Sequence, residues 1–268
     1  MNRYLEERIV AFIDILGFKN MVEESLNSNE VAENLHNALG TIYRLKAEND
    51  NPHNTHSQKN FGVEISTFSD CVVISYPITH KGGLFEIIID LIHLQLELAL
   101  NNVLIRGGLS IGYIHHSEKM VYGPAMNKAY KLESEIAKYP RIIIEESNLK
   151  YGIYKTKSVQ NSVEDEKSYI MSCLTKDKEG NLYLDILRQS QELTDFGDEY
   201  FEWLCKIRNI IKSGLEKYSG KKDVYCKYTW LKDYFNEVVT DQTAHYPVPN
   251  TDYNNQIEFR DSYQKLKI

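Results

Sequence analysis

The chain has 268 residues, 42% of them hydrophobic, enough to fill one large domain or a domain with an appendage. Its formal charge is −7, from 31 Lys and Arg against 38 Asp and Glu, which excludes the broad basic surface of non-specific nucleic-acid binding. Cys71, Cys173, Cys205 and Cys226 lie far apart without a C-x-x-C, so neither a zinc site nor a disulfide framework is expected. The first residues, MNRYLEERIV, carry charge where a signal peptide needs an apolar run, so a cytoplasmic, reducing setting is the default expectation.

In chain order, RIVAFIDILGF (8–18) reads as a buried strand closed by Gly17, and a helical pattern follows to about Leu45. The polar stretch AENDNPHNTHSQKN (47–60) reads as a surface loop. VEISTFSDCVVISYP (63–77) holds two apolar runs meeting at Ser69-Asp70, the pattern of a tight hairpin with an aspartate at its tip. Residues 83–101 form a helix interrupted by Glu86, Asp90, His93, Gln95 and Glu97, which suits a buried helix and not a membrane span. A strand VLIRGGLSIGYIHH (103–116), a helix opened by Gly123-Pro124 and a strand RIIIEE (141–146) complete the order. That succession contains a split β-α-β-β-α-β unit, so the expected fold class is α+β, a ferredoxin-like antiparallel sheet with helices on one face.

Residues 150–190 read as further strands and loops, with a turn and strand in KDKEGNLYLDIL (176–187). From about 190 the texture changes to long amphipathic helices, YFEWLCKIRNIIKSGLEKY (200–218) and VYCKYTWLKDYFNEVV (224–239), and the polar tail after Tyr246 is expected to be pinned only in part. The domain expectation is a catalytic domain over 1–190 with a helical C-terminal extension, 191–268, packed on it.

In this fold the first strand and the hairpin are neighbours, so Asp14 and Asp70 can converge. Two close carboxylates repel unless a cation sits between them or one holds a proton, and hard oxygen ligands favour magnesium or manganese. The alternative is that Asp70 stabilises its turn and Asp14 ends a strand. Asn127 and Lys131, four apart, share one face of their helix, and the choice there is between gripping one ligand and a solvated helix face.

The blocks FIDILGF (12–18), FSDCVVISYP (68–77), IRGGLSIGYIHH (105–116), and VYGPAMNKAYKLES followed by YPRIIIEE, in this order and spacing, resemble the class III nucleotidyl cyclases over residues 8–146. The short stand-alone form with a helical extension is similar to the bacterial antiphage pyrimidine cyclases, the Pycsar cyclases. The resemblance implies that Asp14, Asp70 and the backbone carbonyl of Ile15 hold two divalent cations, Mn2+ or Mg2+. It further implies that Asn127 orients the ribose and that Lys131 stands where the family usually has the arginine that neutralises the α-phosphate. Lysine keeps the charge and loses the planar fork, so Arg106 or Arg141 is a candidate to supply a guanidinium.

By the same resemblance Ser66 and Met120 occupy the two base-selecting places, and neither purine code is present. Met120 fills space without a strong hydrogen bond, Ser66 can donate or accept, and Tyr43 is a further candidate to reach a small pyrimidine ring, or else a core or surface tyrosine. UTP is therefore the leading expected substrate and CTP the next. The resemblance implies a homodimer with shared active sites and a separate effector protein that reads the cyclic nucleotide. Competing readings are a purine cyclase with an unusual pocket, and a degenerate domain serving as nucleotide sensor or dimerisation module. A polymerase-type palm lacks a basic track for a polynucleotide. The eight histidines form no spaced metal set, and Lys176 and Lys178 are candidates for a phosphate or a solvated loop.

Overall fold

The run EERIVAFIDI forms strand β1 (Glu6–Ile15), and Arg8 to Ile13 are all buried, as expected of a strand covered on both faces. In this computed structural model residues 4–50, 61–193, 198–245 and 261–268 are described. Gly17 takes a left-handed conformation, φ 77°, which turns the chain out of β1 into helix α1 (Phe18–Ser25). Helix α2 (Asn29–Asp50) then runs further than its pattern predicts. Its last turn is anchored by the buried Asn49, whose Nδ2 donates to the Val63 carbonyl at 3.2 Å, so 47–50 are helical and not loop. The rest of the expected loop, 51–60 with His53 and His56, lies outside the described residues.

Strands β2 (Glu64–Phe68) and β3 (Cys71–Pro77) form the expected hairpin across Ser69-Asp70. Ser69 has φ 57°, the positive value that a two-residue hairpin loop asks of a central position and that a residue with a Cβ resists. Helix α3 (Gly83–Leu100) leads to strand β4 (Ile105–Ser117), which folds back into the short β5 (Met120–Tyr122). After helix α4 (Pro124–Lys131) come a π-helical turn (Leu132–Ile136) and strand β6 (Ile142–Ile144).

The sheet order is β2-β3-β1-β4, all antiparallel, continued by β6 parallel to β4 and by two late strands, β7 (Leu174–Lys176) and β8 (Leu182–Leu184), so that the path reads β2-β3-β1-β4-β6-β8-β7. The α+β class and the split β-α-β-β-α-β order are those expected. One face of the strands is set by Ile9, Ala11, Ile13 and Tyr76, and carries α3, where the Tyr76 hydroxyl donates to Asp90. Helix α2 joins that layer through Arg44 and Glu97, 3.6 Å apart. The opposite face is set by the alternate residues Val10, Phe12, Val73 and Ile114, against which α4 lays Ala125 and Ala129.

Residues 150–190 depart from the expected strands and loops. Helix α5 (Glu146–Thr156) buries Leu149, Ile153 and Thr156, spaced three and four apart, and α6 (Val163–Ser172) is opened by a capping box between Ser162 and Asp165. The predicted turn and strand survive as an Asp177-to-Asn181 turn followed by β8.

The chain divides into two compact units, 1–185 and 186–268. In the second, helices α7 (Ile186–Leu193), α8 (Asp198–Lys217) and α9 (Lys222–His245) pack through Trp203, Ile207, Ile211, Phe235 and Val238. Within the tail, 246–260 lie outside the described residues. The last residues are held, since Asn236 bonds both the backbone N–H and the carbonyl of Ile268 at 2.9 Å, while Tyr263 and Leu266 are buried. No helix among the described residues is long and apolar enough to cross a membrane.

Candidate functional site

Asp14, the last residue but one of β1, lies directly opposite Cys71, the first residue of β3, and Asp70 is the residue before Cys71. The Ile15 N–H donates to the Asp70 carbonyl at 3.1 Å and fastens the hairpin tip to the end of β1. One ligand-capable atom each of Asp14, Asp70 and Cys71 lies within 4.8 Å of the others, and all three residues are half-buried. The Cys71 thiol is 3.8 Å from an oxygen of each carboxylate.

A cation of the protein is already present beside them. Arg106 on β4, in register with Asp14, donates from Nε to Asp14 at 3.2 Å and pairs through its second nitrogen with Glu133 at 2.7 Å. Glu133 is buried, and it reaches Arg106 because it follows Ala125 and Ala129 at four-residue steps and so continues the stripe that faces the sheet. Burial lifts the Asp14 carboxyl above its usual range; Arg106 opposes that rise and the Asp70 charge adds to it. Burial, then the Asp14, Asp70 and Glu133 charges, pushes the Cys71 thiol up to about 12.

These residues fit divalent cations. Two carboxylates supply hard oxygens, and an added cation would relieve the repulsion that helps to raise Asp14. The two carboxylates suit a divalent cation that takes oxygen ligands.

Asn127 and Lys131 lie elsewhere. Ala125, Ala129 and Leu132 form the stripe that α4 and the π turn press on the sheet, and Asn127 and Lys131 are exposed on the side turned away from it. Lys131 is 3.8 Å from Glu135, an exposed i,i+4 pair of little energetic consequence. Within one chain, then, the acid cluster and the Asn127-Lys131 face point to different places. Arg141, the other candidate guanidinium, is fully buried and engaged by Asp177 at 2.6 Å between the rings of Tyr139 and Tyr183. Lys176 is exposed and 3.8 Å from Glu146, and Lys178 is exposed.

Of the base-pocket candidates, Ser66 lies on the face of the sheet that carries Asp14, opposite Val73 and one side-chain step from Cys71, roughly 7 Å along the strand. It is buried, and its hydroxyl is met by His116 Nε2 at 3.0 Å. Met120 is exposed on β5, next to Val121, which pairs with His116. Tyr43 is exposed on α2, in the helix layer of the opposite face.

Sequence reasoning passed over Cys71, Glu133 and His116. Cys71 was findable, because it neighbours Asp70 and alternates with Val73 and Ser75 on one strand face. No described protein family matches the chain, and no curated protein is similar to it in sequence. Among solved structures it is similar to a class III adenylyl cyclase-like ATP-binding protein from Pseudomonas aeruginosa, at 14% identity and a TM-score of 0.37. The match covers 80% of this chain and 44% of that one, so the chain spans less than half of that protein's length.

Proposed function

We propose that the chain is a nucleotidyl cyclase acting on a pyrimidine triphosphate, UTP first and CTP next. The observation that carries this reading is the convergence of Asp14 and Asp70 with Cys71 at the joined ends of β1 and the β2–β3 hairpin. The ribose 3′-oxygen attacks the α-phosphorus of its own nucleotide, the bond to the β-phosphate oxygen breaks, and pyrophosphate leaves while the 3′-hydroxyl proton is lost. Divalent cations held by Asp14, Asp70 and the Ile15 carbonyl would supply charge neutralisation and a lowered pKa for the 3′-hydroxyl. Arg106 then keeps Asp14 in place and balances the buried Glu133. Asn127 orients the ribose and Lys131 meets the α-phosphate, each from a second copy of the chain, since both face away from their own acid cluster. The 3′,5′-cyclic pyrimidine nucleotide would serve as a messenger in antiphage defence, read by a separate effector protein.

Incubation of the purified protein with Mn2+ and each of ATP, GTP, CTP and UTP, with products read by mass spectrometry, tests the reading. Cyclic UMP is expected, and it is lost in Asp70→Ala. A cyclic purine product would sink the pyrimidine claim. A second reading has one observation in its favour: Arg106 already neutralises Asp14, as a nucleotide sensor without turnover would tolerate. Tight binding of a triphosphate that stays intact in the same assay would favour it.

A further inference from the structure

One guanidinium joins the acid cluster to a buried carboxylate. Arg106 Nε donates to Asp14 Oδ2 at 3.2 Å, and Arg106 Nη2 lies 2.7 Å from Glu133 Oε1. The two carboxylates differ in their surroundings. The Glu133 side chain is 3% exposed, whereas those of Asp14 and Arg106 are 18% and 23% exposed. The bond to Glu133 is therefore the shorter and drier of the two, and the bond to Asp14 the longer and wetter.

Asp14 thus has two claims on its charge. Its Oδ1 lies 3.8 Å from the Cys71 thiol, on the side where Asp70 converges, and its Oδ2 takes the guanidinium. A divalent cation drawn to the acid pair shares Asp14 with a fixed positive charge one carboxylate away. Both oxygens can be engaged at once, so the two do not exclude each other. They do repel, and like charges a few ångströms apart repel more strongly in a half-buried setting than in water. Glu133 works in the other direction, because its negative charge attracts the same cation and, paired with the guanidinium, offsets that repulsion.

We infer that Arg106 sets the cation affinity of the acid pair, as a built-in competitor for the charge of Asp14, and that Glu133 keeps this competition mild. The inference rests on the reading of Asp14 and Asp70 as cation ligands, and it deepens that reading by naming the residues that decide how firmly a cation is held. Arg106 acts through Asp14 and is a positioning residue: the bond that keeps Asp14 in place also draws on its charge. The consequence suits the proposed reaction. Turnover requires a site that gives up a cation along with pyrophosphate, and a guanidinium ready to neutralise the emptied Asp14 eases that release.

The test is Mn2+ binding to the purified chain without nucleotide, read by electron paramagnetic resonance of the free ion and by calorimetry, so it needs no turnover. Asp70→Ala is expected to lose the site. Arg106→Gln, which removes the charge, is expected to bind Mn2+ about tenfold tighter than the wild type, and Glu133→Gln, which leaves Arg106 unopposed, about threefold weaker. Arg106→Lys keeps the charge without the planar fork and should stay near the wild-type affinity. A residue that merely held Asp14 in shape would give the opposite sign, so weaker or unchanged binding in Arg106→Gln overturns the inference. Arg106→Gln alone leaves Glu133 buried without its Arg106 partner, and if that variant does not fold, the double variant Arg106→Gln/Glu133→Gln, with two neutral amides facing each other, decides. It should bind Mn2+ about tenfold tighter than Glu133→Gln alone, and an affinity no higher than that of Glu133→Gln overturns the inference. Mn2+ bound neither by the wild type nor by any variant removes the cation reading and the inference with it, whereas wild-type binding that none of the Arg106 and Glu133 substitutions moves removes the inference alone.

Discussion

His116 shows how far one burial can reach. Its pKa lies at about 3 in the fold and near the ordinary 6.5 in an unfolded chain. Between those values the unfolded state binds a proton that the folded state refuses, so stability rises with pH through this window, levels off as pH passes 6.5, and is lost as pH falls. The groups that set the shift are the apolar surroundings, then Arg8 and His115. Urea unfolding of the wild type between pH 6.5 and 4.5 should lose about 1 kcal/mol per pH unit more than His116→Gln, which has no such proton to refuse. Parallel curves for the two proteins would show that the ring is not held neutral.

Between elements a tight backbone constraint lies at Gly108. A Cβ there would meet the Ala129 carbonyl, come within 2.5 Å of Leu132 Cβ and stand 3.0 Å from the Glu133 backbone nitrogen. The absence of a side chain on β4 is what lets the end of α4 and the π turn lie against the strand and hand Glu133 to Arg106. Gly108→Ala should therefore destabilise the fold by about 1–3 kcal/mol in urea titrations and displace Glu133, with a loss of activity larger than the stability change explains. A variant of wild-type stability and activity would mean that α4 does not need this close approach. The strands of this region were legible because buried strands leave apolar runs, and Gly17 and Ser69-Asp70 mark their ends. The acid pair followed from the strand order those runs imply. Helices α5 and α6 were not legible, because Leu149 and Ile153 stand alone between polar residues and only the folded chain shows them meeting a common surface. Glu133 was hidden because a carboxylate on the stripe of Ala125 and Ala129 reads as a surface residue until Arg106 is seen to meet it. The hydrogen-bonded line from Arg8 through Ser75 and His116 to Ser66 was hidden for another reason: its partners are 67, 41 and 50 residues apart, and no local pattern links them.

At the scale of the whole molecule, the acid cluster at the ends of β1 and β3 and the exposed Asn127-Lys131 face of α4 divide the proposed chemistry between two places. One chain then supplies the cation-binding half of a site and the ribose- and phosphate-binding half of another. A two-fold dimer in which each half meets its complement makes two equal sites. Asp70→Ala removes one half from every chain, Asn127→Ala removes the other, and neither homodimer should work. After the two variants are mixed and allowed to exchange subunits, about half of the dimers are mixed and each holds one intact site, so about a quarter of the wild-type rate should return. Size-exclusion chromatography with distinct tags on the two chains confirms that exchange has occurred. Exchanged chains that remain inactive would rule out sites shared between subunits, and would require Lys131 and Asn127 to act by some route within their own chain, against the direction in which α4 presents them.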